Sequence, residues 1–403
     1  MACQGCGHSS VGLLIDLGNQ PLSNRFLTDR DAPEDRFPLS VGQCENCGLV
    51  QLVDMPPSTE LLPRFSWMTY REPEDHIPEL AKRLVAELGL GARSRICAFS
   101  SKDHSTLDAL APLGVTNGWR LSAEPALNGG RPTAAVETLT DIITPEIATS
   151  LRAARGGADL VVIRQILEHT ANLPRLLRSL HALLAPDGTV MVEIPDCAVW
   201  LRQHDYTGIW EEHRLYLTPE TATATFRHHG FAVRSMHRFP YPFEDSLVFL
   251  LQPANDAPHA TAKLADELAV GRQYGAAFKG TAQRCADAIA DLGRRHGKVA
   301  LFGAGHFACA FLNYLDLAAH IEAVIDDNTN KVGLFMPGAR LPIVPSSVLP
   351  TGDINVCLTC FAPEYEERVM AKHGAFMARG GVFRSIFPNS PRYLLGAGAA
   401  RSR

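Results

Sequence analysis

Residues 158–195 read ADLVVIRQILEHTANLPRLLRSLHALLAPDGTVMVEIP, and this stretch decides the fold. An apolar strand-like run leads into a leucine-rich helical segment, which returns through Pro186-Asp187-Gly188 to a second apolar run. Strands alternating with helical segments predict βαβ units and a mostly parallel sheet. The same rhythm extends on both sides. Toward the N-terminus lie a helical HIPELAKRLVAELGL (76–90) and the strand-like RICAFS (95–100) and WRLSA (119–123). With ADLVVIRQIL (158–167) and GTVMVEIP (188–195) they form one α/β unit. Toward the C-terminus a polar, proline-bearing stretch at 252–260 marks a boundary, and a helical segment follows over 261–296. A second βαβ run begins at KVALFGAGHFACAFLNYL (298–315).

The chain has 403 residues, more than the ~250–300 at which a single core stops growing, so two or three domains are expected. Apolar residues make up 46% and charged residues 20%, a globular profile that excludes disorder, collagen and coiled coil. A formal charge of −5 argues against a nucleic-acid partner. No apolar run approaches the ~18 residues of a membrane span. The opening MACQGCGHSS lacks the basic and apolar regions of a signal peptide, so a cytoplasmic location is expected.

Ten cysteines in such a chain call for an explanation other than disulfides. Four stand in two identical CxxCG knuckles, Cys3–Gly7 and Cys44–Gly48. Two knuckles supply the closed S4 ligand set of a structural zinc, with Cys3, Cys6, Cys44 and Cys47 as ligands; the alternative is four free thiols. The other six (Cys97, Cys197, Cys285, Cys309, Cys357 and Cys360) read as small core residues.

Two segments of the central unit carry acid–base chemistry. Glu168-His169 follows an apolar strand, in the region that faces the ligand crevice of an open α/β sheet. Residues 205–216, DYTGIWEEHRLY, pack acids, a histidine and aromatics together. A histidine beside a carboxylate is a poised base, although a solvated connector has the same composition. His228 and His229 read as solvated surface residues. In the second α/β unit, Gly303-Ala304-Gly305-His306-Phe307-Ala308 is a GxGxxA turn, followed about twenty residues on by Asp326 and Asp327. The turn suits a phosphate at a helix N-terminus, or serves strand–helix packing alone.

Together these motifs resemble the three-domain, zinc-containing sugar C-methyltransferases, which use S-adenosylmethionine to methylate nucleotide-linked 4-keto-6-deoxy sugars. The resemblance covers nearly the whole chain. It rests on CxxCG…PLSNRFL…FPLSVGQCENCGLVQL, on residues 158–195, on WEEHRLYLTP and on FGAGHFACAFLNYL…VIDDNTNKVGLFMPGARLPIVP. The implied fold class is α/β in three parts: a zinc-binding module over 1–75, a central Rossmann-like class I methyltransferase domain over 76–255, and a second Rossmann-like domain over 256–403. The last would help wall the nucleotide-sugar cleft.

The resemblance also implies roles. His213 matches the base that takes the proton alpha to the ketone, Glu212 its neighbouring carboxylate, and His169 a histidine near the sugar. Tyr70 matches a tyrosine brought from the zinc module. Cofactor contacts are expected from Ser100, Ser101, Asp103, Glu124 and Arg164. Substrate contacts are expected from Tyr206, Trp210, Tyr216, Asn313, Asp326 and Lys331. The partner would be a small-molecule nucleotide sugar; oligomeric state is open. The sequence departs from the family after the first strand of the central unit, where a glycine-rich acidic turn gives way to Ser100-Ser101-Lys102-Asp103. Trp210 and Phe307 also stand where the family has tyrosine and lysine. Such departures fit a divergent methyltransferase, an epimerase or isomerase on the same scaffold, or a non-catalytic nucleotide-sugar-binding protein.

Overall fold

The computed structural model describes every residue except 1, 63, 66, 69–71, 129–135, 255–263 and 397–403; at 126, 128, 136 and 137 it describes the backbone alone. Three sheets organise it. The first, antiparallel, is ordered β1 (Val11–Pro21), β2 (Arg36–Cys44), β3 (Val50–Asp54) and β8 (Leu215–Tyr216). In the central sheet the order is β5 (Gly118–Arg120), β4 (Ile96–Ala98), β6 (Ala158–Arg164), β7 (Leu184–Pro195), β10 (Ser246–Pro253) and β9 (Phe231–Phe239). Strands β5, β4, β6 and β7 run parallel, and β10 is antiparallel to both of its neighbours. The third sheet is wholly parallel: β13 (Ile343–Val344), β12 (Ala323–Ile325), β11 (Lys298–Phe302), β14 (Ile354–Thr359) and β15 (Val382–Ser385).

The deciding stretch folds as its pattern predicts. In β6 every residue but one is buried, as a parallel strand covered on both faces requires. Asn172 caps the following helix, Leu173–Leu183, by accepting from the amide of Arg175 at 3.0 Å, with Pro174 in its first turn. Leu173, Leu176, Leu177, Leu180 and Leu183 form its buried stripe. Burying one such leucine contributes on the order of 1.5–3 kcal/mol.

Three boundaries differ from the sequence pattern. Strand β6 stops at Arg164, because Gln165 takes a left-handed φ of 50°; residues Leu167–His169 form a 3-10 turn. The strand at 119–123 shortens to β5, and its last residues turn away. Leu215–Tyr216 pairs with β3, so the segment carrying His213 is joined to the zinc module's sheet. His229 is not a free surface residue either. Its ring bonds the carbonyl of Gln4 at 3.2 Å and so fastens the central domain to the first knuckle.

A 33-residue helix, Leu264–His296, crosses from the first sheet to the third. At 1.5 Å per residue it is about 50 Å long. Tyr274, fully buried within it, donates to the carbonyl of Asp205 (3.1 Å) and accepts at its own carbonyl from Tyr206 (2.8 Å). Ile15, Val41 and Leu52 of the first sheet share one core with Trp200, Tyr274, Leu301 and Val324. No helix among the described residues is long and apolar enough to cross a membrane.

Candidate active site and metal centre

The four knuckle cysteines converge. Their sulfurs all lie within 4.8 Å of one another, with Cys3 to Cys47 at 3.5 Å and Cys6 to Cys44 at 3.6 Å. Zinc–sulfur bonds of about 2.3 Å place tetrahedral ligands about 3.8 Å apart, so the donor set fits Zn2+. Gly7 and Gly48 have φ of 70° and 72°, which lets each knuckle fold back on its sulfurs. The amide of Gly5 donates to Cys3 Sγ at 3.3 Å, the kind of bond that favours a thiolate. Cys3 and Cys44 belong to one apolar core with Leu49, Leu215, Leu217 and Phe226, so the knuckles seat the module on the central domain.

The histidine site forms where two loops meet. The amide of Arg214 donates to the carbonyl of Glu168 at 2.7 Å, joining the turn after β6 to the segment before β8. The rings of His169 and His213 then stand 4.7 Å apart and nearly perpendicular, at 87°. Trp210 lies 4.7 Å from His213 and stacks on His306, of the third unit, at 4.6 Å. Burial holds His169 and His213 well below the ordinary histidine range, and His306 at about 3, so all three are neutral near pH 7. A neutral imidazole is the form that accepts a proton. The zinc module braces this segment. Ser23 donates its amide to Glu211 (2.6 Å), Asn24 its side-chain amide to Glu212 (3.2 Å), and Trp210 its indole N–H to the Ser23 hydroxyl (3.2 Å).

Glu168 stands beside the histidines, its carboxylate within 4.8 Å of a ring nitrogen of each. It is fully buried with neither oxygen hydrogen-bonded, and burial pushes its pKa up to about 8. Its unfolded value is near 4.5, so the penalty for burying it grows as pH rises from about 4.5 to 8 and then levels off. Glu168→Gln removes that penalty. The variant is expected to melt higher than wild type by a margin that widens between pH 5 and pH 8, as scanning calorimetry at both pH values would show.

A cavity of about 240 Å3, with His306 in its wall, opens between the zinc module and the third sheet. Ser23, Asn24, Phe26 and Trp67 line one side, and Gly305, His306, Asn328 and Lys331 the other. Phe26, Phe65 and Trp67 form an aromatic cluster at its mouth. Lys331 donates to the Ala304 carbonyl (2.6 Å) and pairs with Asp326 (3.2 Å), which also accepts the amide of Ala304 (2.9 Å). Asp326 therefore orients the glycine turn and the lysine together.

Other residues singled out in the sequence are placed differently. Asn313 is spent on the carbonyls of Cys309 (2.8 Å) and Pro337 (3.1 Å). Tyr206 and Tyr216 are buried in the core, and the Tyr216 hydroxyl braces the backbone of Trp210. Asp103 is fully buried and accepts the amides of Ser100 (2.6 Å) and Arg164 (2.9 Å). Arg164 is buried as well, donating to Glu193 (2.6 Å), Glu74 (3.0 Å) and the Lys102 carbonyl (2.7 Å). Asp103 and Arg164 therefore build the floor of the crevice. The hydroxyl of Ser100 caps the turn at the amide of Lys102 (3.0 Å), and Ser101 begins that turn. Glu124, after the turn that follows β5, pairs with Arg155 at 2.7 Å. Tyr70 lies outside the described residues. Asn24 emerges as a candidate site residue only in the fold, as do the contacts of Glu168, Lys102 and His306.

Three family models match in chain order: a zinc binding domain over 3–61, a methyltransferase domain over 73–236, and a C-methyltransferase C-terminal domain over 259–388. The chain belongs to the three-domain C-methyltransferases. The curated C-methyltransferase NovU of Streptomyces niveus is 27% identical to it over 410 residues, covering 97% of this chain and 96% of that protein. Solved structures resemble it in part. The 1,6-didemethyltoxoflavin-N1-methyltransferase of Burkholderia thailandensis is 16% identical, with a TM-score of 0.30 over 45% of this chain and 80% of its own. The magnesium protoporphyrin IX methyltransferase of Synechocystis is 11% identical, with a TM-score of 0.29 over 47% and 91%.

The C-methyltransferase is S-adenosylmethionine-dependent, and its crevice fits that cofactor in charge. Glu72 and Glu212 act on a single lysine, Lys102, there. Such an acidic set suits a ligand that carries a sulfonium and an ammonium. At the other end, Glu124 and the unpartnered, buried hydroxyl of Ser122 offer polar atoms for ribose hydroxyls.

Proposed function

We propose that this C-methyltransferase acts on a nucleotide-linked keto-deoxysugar, with His213 as the base. The observation that carries the reading is a cavity between the first and third units whose lining residue His306 stacks on Trp210, itself beside the pair of neutral histidines. Its parts suit the parts of such a substrate. The faces of Phe26 and Trp67 suit a nucleobase, the Lys331 ammonium suits a diphosphate, and Ser23 and Asn24 suit sugar hydroxyls.

A hydrogen on the carbon beside a ketone is acidic, because the electron pair left behind spreads onto the oxygen. His213 takes that proton on a ring nitrogen, and the electrons of the C–H bond become the enolate. Trp210, stacked on His306 and 4.7 Å from His213, keeps the imidazole from turning away, and Asn24 fixes the neighbouring Glu212. His169 stands against His213 and is placed to donate its N–H to the enolate oxygen. When bound, S-adenosylmethionine supplies the electrophilic methyl group, with Glu124 and Ser122 on its ribose side and the acidic crevice on its cationic side. Much of the acceleration comes from holding the partners together.

Purified protein given methyl-labelled S-adenosylmethionine and a nucleoside-diphosphate 4-keto-6-deoxy sugar is expected to label a carbon next to the ketone. Equal labelling of the free sugar, or no labelling of any such nucleotide sugar, overturns the substrate reading.

A further inference from the structure

In an open α/β sheet, ligands enter outside the carboxyl ends of the strands, where the strand order reverses. In the central sheet that point lies between β4 and β6, since the chain leaves β4 for β5 on one side and returns to β6 on the other. One side chain bridges the gap. Lys102, in the turn after β4, donates from Nζ to the carbonyl of Gln165, just beyond β6, at 3.0 Å. The same ammonium donates to Glu72 Oε1 at 2.7 Å. The left-handed φ of Gln165, 50°, marks the departure from the strand at the residue whose carbonyl Lys102 takes. Burial works against the charge on Lys102, but the carboxylates around it, Glu72 foremost, outweigh it and keep the ammonium protonated. An acidic crevice has thus been supplied with a cation of its own.

We propose that Lys102 is a tethered stand-in for the ligand's own cation: the α-ammonium of S-adenosylmethionine binds by taking over the Gln165 carbonyl and the Glu72 carboxylate, displacing the lysine. The exchange is one ammonium for another. It leaves the charge of the crevice balanced in both states and makes the methionine end of the cofactor compete with a group already in place. The proposal rests on the cofactor and not on the identity of the sugar.

Two inert ligands separate the parts of this claim. S-adenosylhomocysteine carries the amino-acid end and must displace Lys102. 5′-Methylthioadenosine lacks that end and need not. Calorimetric titration of Lys102→Met is expected to show S-adenosylhomocysteine binding at least tenfold more tightly than to wild type, with 5′-methylthioadenosine unchanged. Lys102→Arg, which keeps a cation, is expected to keep the wild-type preference. Circular dichroism of both variants checks that the turn still folds. Unchanged or weaker binding of S-adenosylhomocysteine by folded Lys102→Met overturns the proposal, because it would make Lys102 a bystander or a partner of the ligand's carboxylate. Labelling of the sugar is scored separately, so failure of the substrate reading leaves this test intact.

Discussion

His213→Asn is expected to lower methyl transfer by about 10²–10⁴-fold, the range that a positioned general base contributes. Asparagine keeps a planar polar group of similar reach but cannot accept a proton near pH 7. The environment of His213 is built for acceptance. Burial and the nearby Lys102 hold the ring below its ordinary range, so it is unprotonated before substrate arrives. His169 is held neutral in the same way, and its ring faces the edge of His213 at 4.7 Å. Turnover should collapse while S-adenosylhomocysteine affinity, read by titration, stays within about twofold. Solvent deuterium exchange alpha to the ketone should fall with turnover, because both need the same C–H cleavage. A variant that keeps turnover within tenfold of wild type removes His213 from the role of base.

Cys44→Ser is expected to lose the bound zinc and, with it, the ordered cleft. Structural zinc contributes folding free energy directly, ~10–16 kcal/mol apparent in isolated fingers. Cys44 is completely buried, at the end of β2, and its amide donates to the carbonyl of Leu49 at 2.9 Å. Loss of one ligand therefore frees both knuckles and the turn between β2 and β3. The damage travels. Strand β3 carries β8, and the loop after β1 supplies Ser23 and Asn24 to Glu211 and Glu212. Elemental analysis should find one zinc per wild-type chain and none in the variant, whose melting temperature should fall by more than 10 °C and whose turnover should vanish. A zinc-free variant that melts and turns over like wild type would show that the metal does not hold the module.

Much of this organisation was legible in the sequence, for physical reasons that are local. Two CxxCG knuckles have one economical use, and the spacing alone picked out the four cysteines whose sulfurs converge. The alternation of apolar strand and leucine-rich helix in 158–195 pointed to a mostly parallel sheet, because a crossover helix between two strands buries its apolar stripe on the sheet they form. Contacts distant in sequence were not legible. Nothing in Leu215-Tyr216 says that it pairs with Val50-Gln51. Nothing in the GxGxxA turn says that His306 will stack on Trp210. The aromatic pattern of 205–216 misplaced Tyr206 and Tyr216, whose hydroxyls found backbone partners in the core. Asp103 and Arg164 were recognisable as polar residues at strand ends, but only the fold shows each spending its bonds on the floor of the crevice. Lys102 was visible as an added cation. That it spans the point where the strand order reverses depends on the path of β6, 60 residues away.

The helix Leu264–His296 has a consequence for cooperativity. A rod that buries side chains against the first sheet, the Asp205–Tyr206 turn and the third sheet ties the order of each to the others. By topology the chain is three folds. The shared core couples their melting, so the order of the glycine turn depends on the units packed around the helix.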